Sequence, residues 1–189
     1  MATMINLSSY INATAVPVDN TAGGLVPIEL RLQFTMQAQT QSNWCWAATS
    51  ASVSLYYKGV ELWTQCNIAS LELNRACCNM PVPGGCNVPW FLDRALSRTG
   101  HFSSMQNGAL LFDVVRGYID AQRVVGVRTA WAGGGAHFIV IYGYKTSAAG
   151  INYFHVDDPI YGKSIYSENE FNLMYQGSGT WTHSYITQA

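Results

Sequence analysis

After Gln122 the patterning of this chain changes, and the change limits what it can fold into. Upstream, Leu111, Val114, Val115, Tyr118 and Ile119 follow the i, i+3, i+4, i+7, i+8 stripe of an amphipathic helix. Downstream, residues 124–131, 138–144, 151–156, 164–166 and 180–187 are short aromatic and β-branched runs separated by Gly or Asp-Pro turns. A mostly helical first half followed by a sheet-forming second half predicts an α+β fold with a cleft between two lobes.

Two more helices are expected upstream. Residues 45–57 are rich in Ala and Ser and carry Trp46, Ser50, Val53 and Tyr57 at helical spacing, with Gly59 as the stop and Ser42 or Asn43 as a cap. Another helix is predicted from Pro89, a residue favoured in the first turn, to near Gly100. Between them, residues 60–88 read as a loop in which Pro81, Pro83, Gly84 and Gly85 cluster. Residues 30–34 alternate like a short strand. Residues 1–30 hold no sustained period and read as an extended leader ahead of one domain over 31–189. That leader shows neither the basic start nor the apolar block of a signal peptide.

Charge and length remove several classes of function. A net charge of -1, with no Lys/Arg stripe interleaved with aromatics, argues against a nucleic-acid partner. No apolar run approaches the roughly 18 residues that would cross a bilayer, so no membrane partner is expected. Charged residues make up 11% of the chain, against roughly 25% in an average soluble domain. Tyr, Trp and Gly fill the difference, a balance commoner in exported proteins.

The five cysteines divide into Cys45 alone and a cluster of Cys66, Cys77, Cys78 and Cys86. Four clustered and one isolated is the count left by two disulfides and one free thiol. Zinc is the rival reading of the cluster, but the paired C-x-x-C knuckles of a tetrahedral site are missing. A bond between the neighbours Cys77 and Cys78 would be strained. Each is therefore expected to pair with Cys66 or Cys86, and both such pairings stay open.

Chemistry concentrates in Gln39-Thr40-Gln41-Ser42-Asn43-Trp44-Cys45-Trp46-Ala47-Ala48. A thiol at the first turn of a helix sits among unpaired backbone N–H groups at the positive end of the helix dipole, a setting that suits a nucleophilic sulfur. Gln39, six residues upstream, can reach back so that its amide and the Cys45 N–H hold an oxyanion. The matching base is His137, which follows Gly133-Gly134-Gly135 and opens the apolar run Phe138-Ile139-Val140-Ile141-Tyr142. A core strand would fix that imidazole at the cleft edge, and the glycines would let a substrate backbone approach. His101, His155 and His183 have weaker contexts and read as structural or exposed. In Val156-Asp157-Asp158-Pro159, either carboxylate could orient the imidazole, the two pointing to opposite faces of a strand.

These residues resemble the papain-like (clan CA) cysteine peptidases, in which a Gln stands six positions before a Cys-Trp pair. The Cys-Trp-Ala-Ala core is similar to bacterial members, the AvrRpt2-type effector proteases and the peptidase domains of bacteriocin exporters. The resemblance runs from Gln39 to the C-terminus, and the Cys77-Cys78…Cys86-Asn87 segment also occurs in some members. Papain's own Cys-Gly-Ser-Cys-Trp is absent, with Asn43 and Trp44 in its place. The resemblance implies a two-lobe papain-like fold and a cysteine endopeptidase working through a thioester. In it Cys45 is the nucleophile, His137 the base, Asp158, directly before Pro, the orienting residue, and Gln39 the oxyanion-hole residue, with no cofactor and no metal. It further implies a toxin or effector, secreted or delivered into a target cell, with a protein or peptide substrate. An unsequestered peptidase would be hazardous inside its own producer, so a cognate inhibitor or immunity protein is an expected partner. A papain-fold acyltransferase or deamidase, or a binding module with a silent triad, are the alternatives.

Overall fold

Seven antiparallel strands make one sheet, on which the helices pack in the computed structural model, which describes residues 28–189. The strands are β1 (Ile28–Arg31), β2 (Phe102–Asn107), β3 (Val125–Trp131), β4 (Ala136–Thr146), β5 (Asn152–Asp158), β6 (Gly162–Ser167) and β7 (Gly179–Thr187). Their order is β2-β7-β3-β4-β5-β6. β1 takes the edge of β4 that β3 leaves free, pairing Arg31 with Gly143 and Ile28 with Thr146. The helices are α1 (Cys45–Lys58), α2 (Gln65–Leu73), α3 (Leu92–Thr99), α4 (Phe112–Asp120) and α5 (Glu168–Met174). An α+β fold consistent with the papain-like expectation results.

The first three helices pack on one another, and α1 also lies on β4. α1 runs from the expected residue, and Gly59 closes it in the left-handed conformation, φ 70°. It is not amphipathic. Every residue from Cys45 to Ser54 is buried, because Ala and Ser let neighbours approach from all sides. β4 is the centre of the sheet, and Ile139, Val140 and Ile141 are fully buried.

Several expectations need correction. The 60–88 stretch contains a helix, α2, whose start is capped by Thr64 accepting from the Asn67 N–H and whose end is Asn74 at φ 51°. Pro89 does not begin α3, which starts three residues later and ends at Gly100. On α4 the buried positions are Phe112, Val115 and Ile119, whereas Leu111 is 74% exposed and Val114 41%. The helix is turned from the expected stripe. β2 and α5 were not expected at all. Residues 28–30 of the expected leader belong to β1, and residues 1–27 lie outside the described residues.

The clustered cysteines form two crossed disulfides, Cys66–Cys78 and Cys77–Cys86, leaving Cys45 free. The first ties the loop after α2 back to that helix. The second ties it to the short 3-10 turn Gly84–Cys86, just ahead of the segment that touches the start of α1.

Candidate active site

Cys45 is the first residue of α1 and is 8% exposed. Neither Ser42 nor Asn43 caps the helix, contrary to expectation. Trp44 is the N-cap residue, with no side-chain hydrogen bond, so no side chain competes for the first-turn N–H groups. Ser42 and Asn43 are engaged elsewhere. The Asn43 N–H donates to Asn87 Oδ1 (2.9 Å), Asn43 Nδ2 to the Asn87 carbonyl (3.0 Å), and Asn87 Nδ2 to Ser42 Oγ (2.9 Å). Trp44 Nε1 donates to the Cys86 carbonyl (2.7 Å) and Trp46 Nε1 to that of Val88 (3.1 Å). The turn that carries the thiol is thus braced, residue by residue, against the disulfide-bonded segment.

His137 is the second residue of β4, opposite Thr129 of β3, and is 4% exposed. The glycines before it serve the β3–β4 turn, where Gly134 and Gly135 have φ of 94° and 83°, values that other residues rarely adopt. The Trp131 indole stacks beside the imidazole at 6.2 Å between ring centres.

Asp158 ends β5 and is 3% exposed. Its Oδ1 accepts from His137 Nε2 (2.9 Å), Ile160 N–H (2.6 Å) and Tyr161 N–H (3.0 Å), and its Oδ2 accepts from the Tyr175 hydroxyl (2.6 Å). Burial alone would raise this carboxyl, but these donors outweigh it and hold it below the ordinary carboxylate range. Asp157 points to the other face, where its Oδ2 accepts the Met36 N–H (2.9 Å), and burial pushes its carboxyl up. Of the two neighbours, Asp158 meets the imidazole.

Gln39 lies beside the same turn, its N–H donating to the Pro159 carbonyl at 3.0 Å. Its Nε2 donates to the carbonyls of Gln41 (2.9 Å) and Ser42 (2.8 Å), while its Oε1 is buried without a partner. The amide is therefore fixed on the approach to α1, with its protons directed at backbone. The other histidines stand apart from this cluster. His101 bonds the Gln188 carbonyl, His155 Nε2 lies 3.0 Å from a Glu29 carboxylate oxygen, and His183 lines the groove and contacts Thr182.

Cys45 and His137 open into one groove of about 860 Å³, walled by Trp46, Trp90, Phe91 and Trp131 among others. A family model described as the papain-like cysteine protease AvrRpt2 matches residues 27–176 of the 189. The chain belongs to that family. No curated protein matches it.

In this papain-like protease the imidazole is strongly basic. Burial lowers its pKa, but hydrogen bonds and charge interactions with Asp158 and Cys45 outweigh that and raise it from 6.5 to about 9. A raised histidine favours the fold most while protonated. That contribution is whole below pH 6.5 and lost as pH rises through about 9. Were this imidazolium to protonate the leaving amine of a cleaved peptide, hydrolysis would fall over the same range, because a neutral imidazole has no proton to give. The pH profile of kcat/KM should descend with an apparent pKa near 9; a descent centred on 6.5 would remove the Asp158 and Cys45 interactions as its cause.

One member of the site has no motif in the sequence. Tyr175 follows α5, 17 residues beyond Asp158, and nothing about its neighbours marks it.

Proposed function

We propose that this papain-like protease is a cysteine endopeptidase with Cys45 as nucleophile, His137 as general base and acid, and Asp158 as the group that orients the imidazole. One observation carries the reading. His137 Nε2 is committed to Asp158, which leaves Nδ1 for the Cys45 thiol, at the wall of a groove of about 860 Å³. In the proposed reaction Nδ1 takes the thiol proton and the sulfur attacks the scissile carbonyl carbon. The oxyanion is held by the Cys45 N–H and by Gln39, whose amide would release or share one of its backbone bonds to do so. The imidazolium then protonates the leaving amine, and water, deprotonated by the same imidazole, splits the thioester and restores the thiol.

The setting we propose is that of an effector or toxin that acts on a specific target protein, with a catalytic unit that starts at β1 and spans residues 28–189, preceded by a leader, and with a dedicated inhibitor in the producing cell. Family membership supports this setting, and the two disulfides fit an exported protein.

The test is a comparison of new N-termini in a recipient-cell lysate treated with wild type or with Cys45→Ala. Wild type is expected to generate a short set of cleavages absent from the variant. Matching cleavage profiles would exclude peptidase action through Cys45.

A further inference from the structure

We propose that Tyr175 is a positioning residue for the reaction: its hydroxyl occupies Oδ2 of Asp158 and thereby fixes the direction in which Oδ1 faces His137. The inference rests on Cys45, His137 and Asp158 acting as proposed above.

The geometry forms a closed circuit. The Tyr175 hydroxyl donates to Asp158 at 2.6 Å, Asp158 accepts from His137 at 2.9 Å, and Trp131 stacks at 6.2 Å on both the imidazole and the Tyr175 ring. Tyr175 thus touches the carboxylate through its hydroxyl and backs the imidazole through an indole. It is fully buried, and Tyr166 and Phe171 pack its ring at 5.1 and 5.5 Å.

The backbone around it is built to hold it there. Tyr175 and Gly179 exchange two hydrogen bonds, Tyr175 N–H to Gly179 O at 2.9 Å and the reverse at 2.8 Å. Gln176 and Gly177 between them take φ of 49° and 85°, closing a tight hairpin. A Cβ on Gly179 would overlap Thr129 and Trp131, so only glycine lets the hairpin lie against the strands that carry the site.

A carboxylate with one free oxygen can rotate about its Cβ–Cγ bond and exchange which oxygen serves the imidazole. Three donors on Oδ1 and one on Oδ2 remove that freedom. The groups that titrate or carry charge nearby are few: His137 from β4 faces Asp158, and Cys45 from α1 acts through His137. Asp157 and Lys163 stand opposite each other in the β5–β6 ladder, their side chains bonded to the Met36 N–H and the Phe34 carbonyl, and Tyr166 from β6 faces Tyr175. Loss of the hydroxyl therefore falls mainly on Asp158. One donor fewer lets its carboxyl protonate at a higher pH, and with it goes the support of the imidazolium.

The test is the rate of Cys45 alkylation by iodoacetamide as a function of pH, which needs no substrate. For Tyr175→Phe the ascending limb is expected about one pH unit above that of wild type. In an Asp158→Asn background the same change is expected to have no further effect. Where Tyr175→Phe melts below the assay temperature, the same comparison is made at a lower temperature at which circular dichroism shows every variant folded. Superimposed limbs for wild type and Tyr175→Phe would overturn the inference while leaving the triad standing, as would a further slowing of Asp158→Asn by Tyr175→Phe. A wild-type Cys45 that alkylates as an ordinary thiol, with one limb near about 8.5, would remove the triad and the inference together.

Discussion

His137→Ala should leave a folded protein whose kcat/KM on a cleaved peptide is lower by about 10⁴-fold. In the proposed reaction the imidazole both ionises the thiol and protonates the departing amine, so its removal should slow both chemical steps. The fold should survive because Asp158 is not abandoned. Its Oδ1 keeps the N–H groups of Ile160 and Tyr161, and its Oδ2 keeps Tyr175, so no bare buried charge remains. Circular dichroism melting checks the fold and steady-state kinetics the rate. Activity within ten-fold of wild type in a folded variant would mean that another base serves Cys45. His183, in the same groove, would be the first to examine.

The disulfides should separate into one that serves stability alone and one that also serves the reaction. Cys77–Cys86 closes a span of 9 residues and Cys66–Cys78 one of 12, so chain entropy assigns each about 2.5–3 kcal/mol. Replacing either pair with serine should therefore lower Tm by roughly 5–10 °C. Only Cys77–Cys86 leads directly into residues 86–88, which accept the indole N–H groups of Trp44 and Trp46 and hold Asn43 through Asn87. Its loss frees the turn on which the sulfur sits. Displacing a reacting atom by about 1 Å is enough for a rate loss near 10²-fold. The Cys77→Ser/Cys86→Ser variant is thus expected to lose at least ten-fold in kcat/KM at temperatures where it stays folded. Cys66→Ser/Cys78→Ser, by contrast, should stay near wild type. Equal kinetic effects from the two pairs would refute the brace.

Much of this could be read before any coordinates, and the reasons for the rest are physical. Cys45 at a helix start, His137 on a core strand and Asp158 before Pro159 each carry a local signature, so their neighbours in sequence announce them. Asp157 and Asp158 could not be told apart from alternation alone, and the His137 hydrogen bond to Asp158 separates them. α2 was hidden because its apolar residues, Ile68, Leu71 and Leu73, do not make a one-sided stripe and because it sits in a stretch punctuated by cysteines. β2 was hidden because an edge strand exposed along nearly its whole length, Ser103 to Asn107, need not alternate. α5 could have been found: Ser167 and Glu170 form a capping box, a signal legible in Ser-Glu-Asn-Glu. The stripe on α4 misled because Leu111 precedes the helix and Phe112 takes the inward place. Asn87 and Tyr175 act through space, on Asn43 and Asp158, and neither sits in a local motif that marks it.

The opposed carboxylates at the end of β5 restrict how this strand can vary in length. Each residue added to or removed from residues 152–156 turns over everything that follows, exchanging the side chain that grips Met36 with the one that grips His137. Indels there would be tolerated only in twos, or together with a bulge that absorbs the odd residue. Substitution within that span leaves the reading frame intact, but the frame itself is locked at the end that carries Asp158.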